Sequence, residues 1–500
     1  MSFSPDTSGQ KFPRRGGGKS LCWLRDSNKI AGLNFHLKII IGNYFMRTKL
    51  VCLLGLIPWT LTASPLLETK PAGAAFEKFS PLKAPAVSGQ VLHAGDRLAI
   101  CGDSITEQKM YSRLMEDYLT MCVPQLRVTV RQYGWSGERV PGFLVRMTND
   151  CLRFHPTLAT TCYGMNDHEY RPYEERIGQT YETNSVRMVE AFKANGVRVI
   201  LGSPGNVSKM PGWVKSAAGT VEDLNLNLCQ LRNRDIGIAR REKVIFADLF
   251  WPMFTAWSAG HQRYGADFGI PGGDGVHPHW AGHTLMAYAF LKAMGLDGNL
   301  GTFTVDWKKN KIHVTAGHEV VSAAAGEFTI SSSRYPFCPS EPAALAKANY
   351  PVSGQDEVAS DNSIRAGMTL IPFNQDLNRL TLVVQRGEAS QYRVTWGDAD
   401  KIFTREQLAH GINLAAEFPV NPFSAAFAKV DAAVVAKQVF ETKEMKEMFR
   451  RTENRSRDMA QITAQTERIV GETEKEHAAL AAAVQAAFVP VTHVLKITAL

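Results

Sequence analysis

Five strand-like segments alternate with helix-like segments across residues 97–294, and this alternation constrains the fold more than any other feature. The strand-like segments occupy 97–104, 127–135, 157–167, 197–205 and 244–250. Helical periodicity occupies 107–120, 140–154, 173–195, 222–242 and about 278–294. Such alternation calls for a parallel sheet that helices cover on both faces. We therefore predict a three-layer α/β/α domain over residues 91–298.

The pattern changes after residue 298, where short strand-like pieces no longer alternate with helices. A stretch over about 422–488 is rich in Ala, Glu and Lys with helical periodicity, and a break near 454–458 predicts a helical hairpin. The last ten residues predict a terminal strand. We expect an α+β accessory domain over 299–500, with the charges at 440–475 on a solvated helix face rather than a partner-binding surface. Its role stays open between stabilising the fold, covering a cleft and binding a polymer.

The net charge of +8 is concentrated at the N-terminus and does not indicate a nucleic-acid-binding protein. Residues 1–50 contain nine Lys and Arg and two Asp, so they carry seven of the eight net positive charges. The rest of the chain is close to neutral, which removes the electrostatic basis for binding a polyanion.

A signal peptide is predicted at 46–63. Met46 is followed by two basic residues, an apolar run at 50–61 and then small residues, which is the order of the n-, h- and c-regions. The apolar run is too short to span a bilayer comfortably. We expect a native start at Met46, an over-extended and disordered segment at 1–45, a lead-in linker at 64–90, and export to the periplasm or the exterior. A genuine N-terminal tail ahead of an uncleaved anchor is the alternative.

Six of the eight cysteines lie after residue 64, with no CxxC pair and no spacing typical of a metal site. Cys101 and Cys162 lie in apolar strands and are predicted to be buried. A disulfide between Cys122 and Cys151 is compatible with export, but the sequence does not establish it.

Ser104 lies in "GDSIT", directly after the first strand and at the start of a helix. A serine in this place is usually a helix N-cap, and the motif alone does not distinguish a cap from a nucleophile. A nucleophile needs a base, a group that orients the base, and donors for an oxyanion.

The motif "DGVHP" offers a candidate base, His277, and a candidate orienting acid, Asp274. At a spacing of three residues, the carboxylate can contact Nδ1 of the imidazole and leave Nε2 free for a serine hydroxyl. His279 and His283 lie nearby, but neither has an acidic residue at the same spacing.

Two further motifs offer candidate oxyanion donors. Gly137 in "GWSGERV" follows the second strand and can turn its backbone N–H inward where a side chain would block it. Asn166 in "YGMND" follows the third strand, and its side-chain amide can donate into the same cleft. All these motifs lie at the carboxyl ends of strands, where open α/β sheets form their crevices.

The blocks "GDSIT", "GWSG", "GMND" and "DGVHP", in this order within residues 95–295, resemble the four blocks of the SGNH (GDSL-type) hydrolase superfamily, as in a secreted bacterial esterase. The resemblance implies a flavodoxin-like parallel sheet of strand order 2-1-3-4-5. The sequence departs from many members at Glu107-Gln108, where they have glycine after the first block. The departure bears on the local turn.

Carried over residue by residue, the resemblance implies a nucleophile at Ser104, a base at His277 and an orienting acid at Asp274. It also implies that the oxyanion donors are the backbone N–H groups of Ser104 and Gly137 and the Asn166 side chain. No metal and no organic cofactor is expected.

The expected function is hydrolysis of a carboxylic ester, above all an acetyl ester, through an acyl-enzyme. Export, the accessory domain and a set of aromatic residues at the expected mouth favour an O-acetylated carbohydrate; the set is Trp135, Tyr163, Tyr170, Tyr173, Trp213 and Trp280. Arg139, His168 and Trp135 are candidate substrate contacts.

Two alternatives remain at this point: a lysophospholipase- or thioesterase-like hydrolase, and a secreted binding protein that uses the SGNH scaffold without turnover. The expected partner is a small-molecule or polysaccharide ester. We expect no nucleic acid and no stable membrane span, and the oligomeric state stays open.

Overall fold

The structure, a computed structural model, describes residues 66–215, 218–265, 268–339, 363–449 and 459–500, without the side chains of 459–463. The predicted segments at 1–45 and 46–63 and the first two residues of the lead-in lie outside these residues, as does the predicted hairpin break at 454–458. Within the described ranges, no helix is both long enough and apolar enough to cross a membrane.

A five-stranded parallel sheet occupies the first half of the described chain. Its strands are β1 (Arg97–Gly102), β2 (Thr129–Gly134), β3 (Leu158–Cys162), β4 (Arg198–Gly202) and β5 (Ile245–Ala247). They lie in the order β2-β1-β3-β4-β5, and every pair is parallel. The predicted fold class and strand order are confirmed. Because β1 lies between β2 and β3, the chain leaves it at the topological switch point of the sheet.

The helices of this half are α1 (Ser104–Glu107), α2 (Tyr111–Asp117), α3 (Val140–Asp150), α4 (Glu175–Ala194), α5 (Val221–Glu242), α6 (Phe250–Tyr264) and α7 (Trp280–Ala293). Alternate residues of a strand point to opposite faces of its sheet. Ile100 of β1 therefore packs in the core that contains Leu285 of α7. Its neighbours Ala99 and Cys101 pack in a second core, which contains Phe143 of α3.

Two helical segments differ from the sequence prediction. The helix predicted at 107–120 is split into α1 and α2, because Lys109 has a φ of 59° and this left-handed conformation interrupts the helix. The helix α6 was not predicted, although its aromatic face packs in the core through Phe250 and Phe254.

The second half contains a four-stranded sheet, a five-stranded sheet and a helical hairpin. Its strands are β6 (Asn299–Asp306), β7 (Lys311–Val314), β8 (His318–Ala324), β9 (Glu327–Ser332), β10 (Arg379–Gln385), β11 (Gln391–Trp396), β12 (Ala399–Thr404), β13 (Ile412–Asn413) and β14 (Val491–Ala499). The sheets have the orders β13-β10-β6-β7 and β12-β11-β14-β9-β8. The predicted terminal strand is β14, which lies in the middle of the second sheet.

The helices of this half are α8 (Ile364–Leu370), α9 (Phe373–Asp376), α10 (Arg405–His410), α11 (Leu414–Glu417), α12 (Ser424–Lys443) and α13 (Met459–Ala487). The long helices α12 and α13 pack against each other, and α12 lies on α2 and β2 of the parallel sheet. A π-helical turn at Glu444–Met448 continues α12. The second half is therefore α+β, as predicted, and its hairpin lies against the parallel-sheet half.

The prediction of a solvated helix face at 440–475 is wrong for its most informative charges. Glu441 is buried and pairs with Lys437 at 2.6 Å, and His477 lies 2.9 Å from the same carboxylate. Glu444 is buried as well and pairs with Arg131 of β2 at 3.0 Å. Charges of this kind are buried only when they are paired; here Lys437 is a local partner, whereas Arg131 comes from a distant part of the chain.

The predicted boundary at residues 298/299 coincides with the start of β6. Residues of both halves nevertheless belong to one apolar cluster, for example Ile100, Phe303 and Trp396, and residues 64–500 form one compact unit. The division into a hydrolase domain at 91–298 and an accessory domain at 299–500 stays a prediction.

Where it is described, the lead-in at 64–90 packs against the rest of the fold. Phe76 and Phe79 are buried, and the Phe79 ring lies 4.7 Å from that of Phe254. Cys122 and Cys151 are both free and buried, and they belong to the cores on opposite faces of the parallel sheet. The disulfide considered from the sequence is therefore not formed.

Candidate active site

Ser104, His277 and Asp274 lie together at the carboxyl end of the parallel sheet and form one hydrogen-bonded chain. Nε2 of His277 lies 2.7 Å from Oγ of Ser104. Nδ1 of His277 lies 2.6 Å from Oδ2 of Asp274. The two ring nitrogens therefore face the hydroxyl and the carboxylate, which is the arrangement of a serine nucleophile, its base and the group that orients the base.

Asp103, rather than Ser104, caps the helix that starts at the serine. Its side chain accepts a hydrogen bond of 3.0 Å from the N–H of Ile105. Ser104 is the first residue of α1, so its N–H belongs to the first turn, whose N–H groups have no partner within the helix. The Asp103 carboxyl is buried, and burial raises its pKa to about 7 against the lowering effects of the Ile105 N–H and His277.

The loop before α7 holds Asp274 in place through both of its oxygens. Oδ1 accepts hydrogen bonds from the N–H groups of Val276 at 2.9 Å and His277 at 2.8 Å, which leaves Oδ2 for the imidazole. Burial acts to raise the pKa of Asp274, but the hydrogen bonds from His277 outweigh it and the pKa lies below its ordinary value. The group facing Nδ1 is therefore an ionised carboxylate.

Gly137 lies in a tight turn directly after β2, at residues 135–138. The N–H of Glu138 donates to the carbonyl of Trp135 at 3.1 Å, and Gly137 has a φ of 73°. A positive φ at the third residue of a β-turn belongs to type II rather than type I. Gly134, just before the turn, is also required, since a Cβ there would meet the backbone nitrogen of Glu107 at 2.1 Å.

Asn166 is oriented by groups on both sides of its amide. Its Nδ2 donates to the carbonyl of Glu138 at 3.1 Å and approaches Oδ2 of Asp103 at 3.5 Å. The Tyr170 hydroxyl donates to its Oδ1 at 3.2 Å. The amide NH₂ therefore lies on the side of the 135–138 turn and of Ser104's helix start. Tyr170 and the residue before it, Glu169, have positive φ values of 52° and 58°, which are uncommon outside glycine.

Two carboxylates flank the 135–138 turn. Glu138 is buried and receives two hydrogen bonds of 2.6 Å from Arg146, with a third of 2.9 Å from the Tyr163 hydroxyl. Glu107 accepts a hydrogen bond from the N–H of Ser136 at 2.5 Å. The sequence analysis considered Glu107 only as a departure from the family pattern.

The candidate substrate contacts are distributed unequally. Arg139 lies at the surface with a side chain 48% exposed and pairs with Glu169 at 3.3 Å. Trp135 is partly buried, and its ring faces Arg146 and Lys446 at 5.2 and 5.1 Å. His168 is completely buried, and its Nδ1 contacts the carbonyl of Met165. The prediction that His168 contacts substrate is therefore not supported, because the side chain lies in the interior.

Burial also gives His168 a structural role. Desolvation lowers its pKa to about 4, so the ring is neutral at ordinary pH and donates from Nδ1. The nearby His283 is buried too, accepts from the N–H of Tyr111 at Nδ1, and has a pKa lowered to about 3 by burial. Neither histidine competes with His277 for the serine.

The aromatic residues expected at the mouth fall into two groups. Trp280 and Tyr163 are buried in the core. Trp213 is 45% exposed, and its ring centroid lies 5.7 Å from that of His277 and 5.9 Å from that of Tyr170. The Tyr173 hydroxyl accepts a hydrogen bond from Arg234 and donates one to Glu175. Trp213 is thus the exposed aromatic ring that lies beside the base.

An open groove with a volume of about 670 Å³ begins at the 135–138 turn and runs along α3. Gly137, Arg139, Val145 and Asn149 are among its lining residues. Among the described residues, no group of three or more His, Cys, Asp or Glu side chains is arranged to hold a metal ion.

The residues that orient the reacting groups are not identified by the sequence motifs. Tyr170 was considered only as an aromatic at the mouth, and Glu138, Arg146, Glu107 and Lys446 were not assigned to the site. The only signal for Glu107 was its presence where many relatives have glycine. Lys446 lies 339 positions away, and no local pattern points to it.

Comparison with known proteins identifies the family of one segment and the fold. Residues 100–285 match the GDSL-like lipase/acylhydrolase family. The solved structure of BT4096, described as a gut microbial diltiazem-metabolizing enzyme, is 20% identical with a TM-score of 0.64, and the match covers 83% of this chain and all of that one. No curated protein matches the chain.

Two further solved structures match a smaller share of the chain. They are a catalytic mutant (D191A) of Axe2, an acetylxylan esterase from Geobacillus stearothermophilus, and LAE5, an α/β hydrolase from the metagenome of Lake Arreo. The first is 21% identical, covers 41% of this chain and 97% of its own, and has a TM-score of 0.34. The second is 22% identical, covers 41% and 98%, and has a TM-score of 0.33. Residues 100–285 thus form a domain of the GDSL-like lipase/acylhydrolase family, a family of carboxylic ester hydrolases.

Proposed function

We propose that the chain is a serine esterase in which Ser104 is the nucleophile, His277 the general base and Asp274 the group that orients the base. The observation that carries this proposal is the chain of two short contacts, 2.7 Å from Ser104 to His277 and 2.6 Å from His277 to Asp274. The Asp103 cap supports it further, because it leaves the Ser104 hydroxyl free to face the imidazole.

In the proposed reaction, His277 Nε2 takes the hydroxyl proton of Ser104 while Oγ forms a bond to the ester carbonyl carbon. The tetrahedral intermediate collapses as the bond to the alcohol oxygen breaks, and the proton on His277 goes to the departing alcohol. Water then attacks the acyl-enzyme, giving its proton to His277, and the carboxylic acid leaves as Ser104 regains its proton. Asp274 stays ionised and stabilises the imidazolium.

The oxyanion is held by the N–H groups of Ser104 and Gly137 and by the Asn166 amide. These donors belong to the start of α1, the 135–138 turn and the segment after β3, which all follow the carboxyl ends of neighbouring strands. Removing one donor of this kind typically costs about 10²–10³ in rate. The Tyr170 hydroxyl fixes the Asn166 amide in the orientation that this role needs.

The proposed substrate is an acetyl ester of a carbohydrate. The exposed Trp213 ring beside His277 offers a flat apolar surface next to the reacting atoms, of the kind on which a sugar ring can lie. The groove beside Gly137 is open and carries the polar residues Arg139 and Asn149, which suits a hydrophilic alcohol. We also propose that the protein acts outside the cytoplasm, after removal of the segment predicted at 46–63.

Acetate release from acetylated xylan, acetylated pectin and simple acetyl sugars tests the proposal. Wild type should release acetate, and Ser104→Ala and His277→Ala should abolish release while the thermal midpoint stays near that of wild type. Ser363→Ala is the matched control, since the Ser363 hydroxyl caps α8, and it should retain full activity. Unchanged esterase activity in Ser104→Ala would refute the mechanism.

The acyl group is tested with p-nitrophenyl esters of increasing chain length. A preference for acetyl over long-chain esters fits the proposed substrate, and the opposite preference would favour a lysophospholipase- or thioesterase-like hydrolase. A serine-reactive phosphonate should label Ser104. Failure of labelling and of all turnover would instead indicate a binding protein on the same scaffold.

A further inference from the structure

A buried carboxylate links the serine helix, the 135–138 turn and the C-terminal hairpin. Glu107 is the last residue of α1, three positions after Ser104, and its side chain is 7% exposed. One of its oxygens accepts the N–H of Ser136 at 2.5 Å. Both oxygens accept from the ammonium of Lys446, at 2.7 and 2.8 Å.

Lys446 comes from the π-helical turn at Glu444–Met448 that continues α12. Such turns are rare and frequently occur at functional sites. The Lys446 ammonium also lies 5.1 Å from the ring centroid of Trp135, the residue just before Ser136. Met445 of the same turn contacts Arg146 through its sulfur at 3.8 Å, and Arg146 holds Glu138 at the other end of the 135–138 turn. The π-helical turn therefore contacts Glu107, which binds Ser136, and Arg146, which binds Glu138.

The conformation of the 135–138 turn decides where the Gly137 N–H points. Type I and type II turns share the hydrogen bond that closes the turn, from Glu138 N–H to the Trp135 carbonyl, but their central peptide units face opposite directions. The positive φ of Gly137 selects one of the two. Because glycine adopts both signs of φ readily, the residue itself does not enforce this choice.

The Glu107–Ser136 hydrogen bond supplies the missing constraint. It fixes the peptide unit directly before the one that carries the Gly137 N–H. An ionised acceptor makes the bond stronger than a neutral one would, and a buried carboxylate stays ionised only beside a compensating charge. In this site the ammonium of Lys446 is the charge in direct contact with the carboxylate, while the buried ammonium of Lys109 lies close by and donates to the Glu107 backbone carbonyl.

We propose that Lys446 is a positioning residue for the oxyanion donor: acting through Glu107, it holds the 135–138 turn in the form that aims the Gly137 N–H at the reacting carbonyl. The proposal rests on the proposed esterase mechanism, and it gives residues 299–500 a role in the chemistry of the first half. The C-terminal hairpin completes a site whose reacting groups all lie elsewhere in the sequence.

The test compares Lys446→Met, which keeps the aliphatic stem and removes the charge, with Lys446→Arg, which restores it. For p-nitrophenyl acetate, Lys446→Met should lower kcat by about 10- to 100-fold, the size expected for a misplaced donor. KM should change little, since the interaction is made in the transition state. Lys446→Arg should recover most of the loss.

Glu467→Gln is the matched control. It removes another ion pair between the hairpin and the parallel-sheet half, Glu467 with Arg153 at 3.1 Å, which does not contact the 135–138 turn. It should leave kcat within about twofold. An equal loss of kcat in Glu467→Gln and Lys446→Met would overturn the proposal, because a general loss of hairpin packing would then explain both.

A second readout separates this proposal from the proposed function. Amide hydrogen exchange in a peptide covering 129–140 should be faster in Lys446→Met than in wild type or Glu467→Gln, whatever the activity. Glu107→Gln, which loses the charged acceptor, should show the same increase. Unchanged exchange overturns the positioning role even if Ser104→Ala is inactive, whereas active Ser104→Ala refutes the mechanism even if the exchange increases.

Discussion

Substitution of Asp274 by asparagine is the sharpest test of how the site works, since the structure fixes how the new side chain must sit. Oδ1 of Asp274 accepts two backbone N–H groups, from Val276 and His277. An NH₂ group in that position would face two donors, which is costly in a partly buried loop. The asparagine must therefore keep its carbonyl there and point its NH₂ at the His277 ring.

That orientation forces the wrong tautomer of His277. A donor facing Nδ1 requires Nδ1 to accept, so the proton of the neutral ring moves to Nε2. Nε2 then presents N–H to Ser104 and cannot take the hydroxyl proton, and the imidazolium also loses its counter-charge. The same substitution in a serine protease triad lowers kcat about 10⁴-fold, which corresponds to about 5.5 kcal/mol of transition-state stabilisation.

The assay is steady-state hydrolysis of p-nitrophenyl acetate at pH 7, with thermal melting of the same preparations. Asp274→Asn should lose about 10⁴ in kcat with a similar KM and an unchanged fold. Asp223→Asn is the control, because Asp223 belongs to the capping box of α5, and it should keep full activity. A loss in Asp274→Asn of less than about tenfold would falsify the tautomer reasoning, since RT ln 10 is only about 1.4 kcal/mol.

Three further predictions concern the oxyanion side of the site. Asn166→Ala should lower kcat by about 10²–10³ with little change in KM, measured with the same ester. Gly137→Ala should destabilise the fold by about 1–2 kcal/mol in denaturant unfolding, because alanine is strained at positive φ. The added Cβ has no atom within 4 Å, so a steric clash does not contribute to the loss of stability. Burial acts to raise the pKa of Glu107, but the hydrogen bonds from Lys446 and Ser136 lower it below its ordinary value of 4.5. The ionised Glu107 therefore stabilises the fold above pH 4.5. This stabilisation is lost as the pH falls through the lowered pKa. The difference in thermal midpoint between wild type and Glu107→Gln should therefore be constant at neutral pH and shrink below about pH 4.5.

The reacting groups could be predicted from the sequence because each has a local signal. Ser104, Gly137 and Asn166 each lie two to four residues after the end of a strand, and the carboxyl ends of parallel strands lie at one edge of the sheet. Asp274 and His277 are three residues apart in one loop, so their contact needs no long-range information. The strand order was accessible through the resemblance of the four blocks to a known superfamily.

The orientation of those groups could not be predicted in the same way. Tyr170, which donates to the Asn166 amide oxygen, and Glu169 before it both adopt positive φ, and neither residue type signals such a backbone. His168 is a candidate substrate contact from the sequence because it follows the block that contains Asn166, yet the same local turn carries it into the interior. Distance along the sequence gives proximity, but the backbone turn decides which side chains face the cleft.

The charged hairpin shows a deeper limit of reading charges from sequence. Lys and Glu side chains that are interspersed along a helix are usually solvated. They are buried only where a partner of opposite charge offsets the free-energy cost of desolvation. For Glu441 a partner is local, in Lys437, but for Lys446 the partner is Glu107, in the first half of the chain. A glutamate where many relatives have glycine and a basic residue in an accessory segment are thus the two partners of one ion pair. A buried Glu107 without Lys446 would lose the ammonium that contacts its carboxylate, and Lys446 without Glu107 would lose the carboxylate that it contacts beside the serine helix. It follows that variants at these two positions should not be additive, and that Glu107→Gln with Lys446→Met should lower kcat no more than the more damaging single change does.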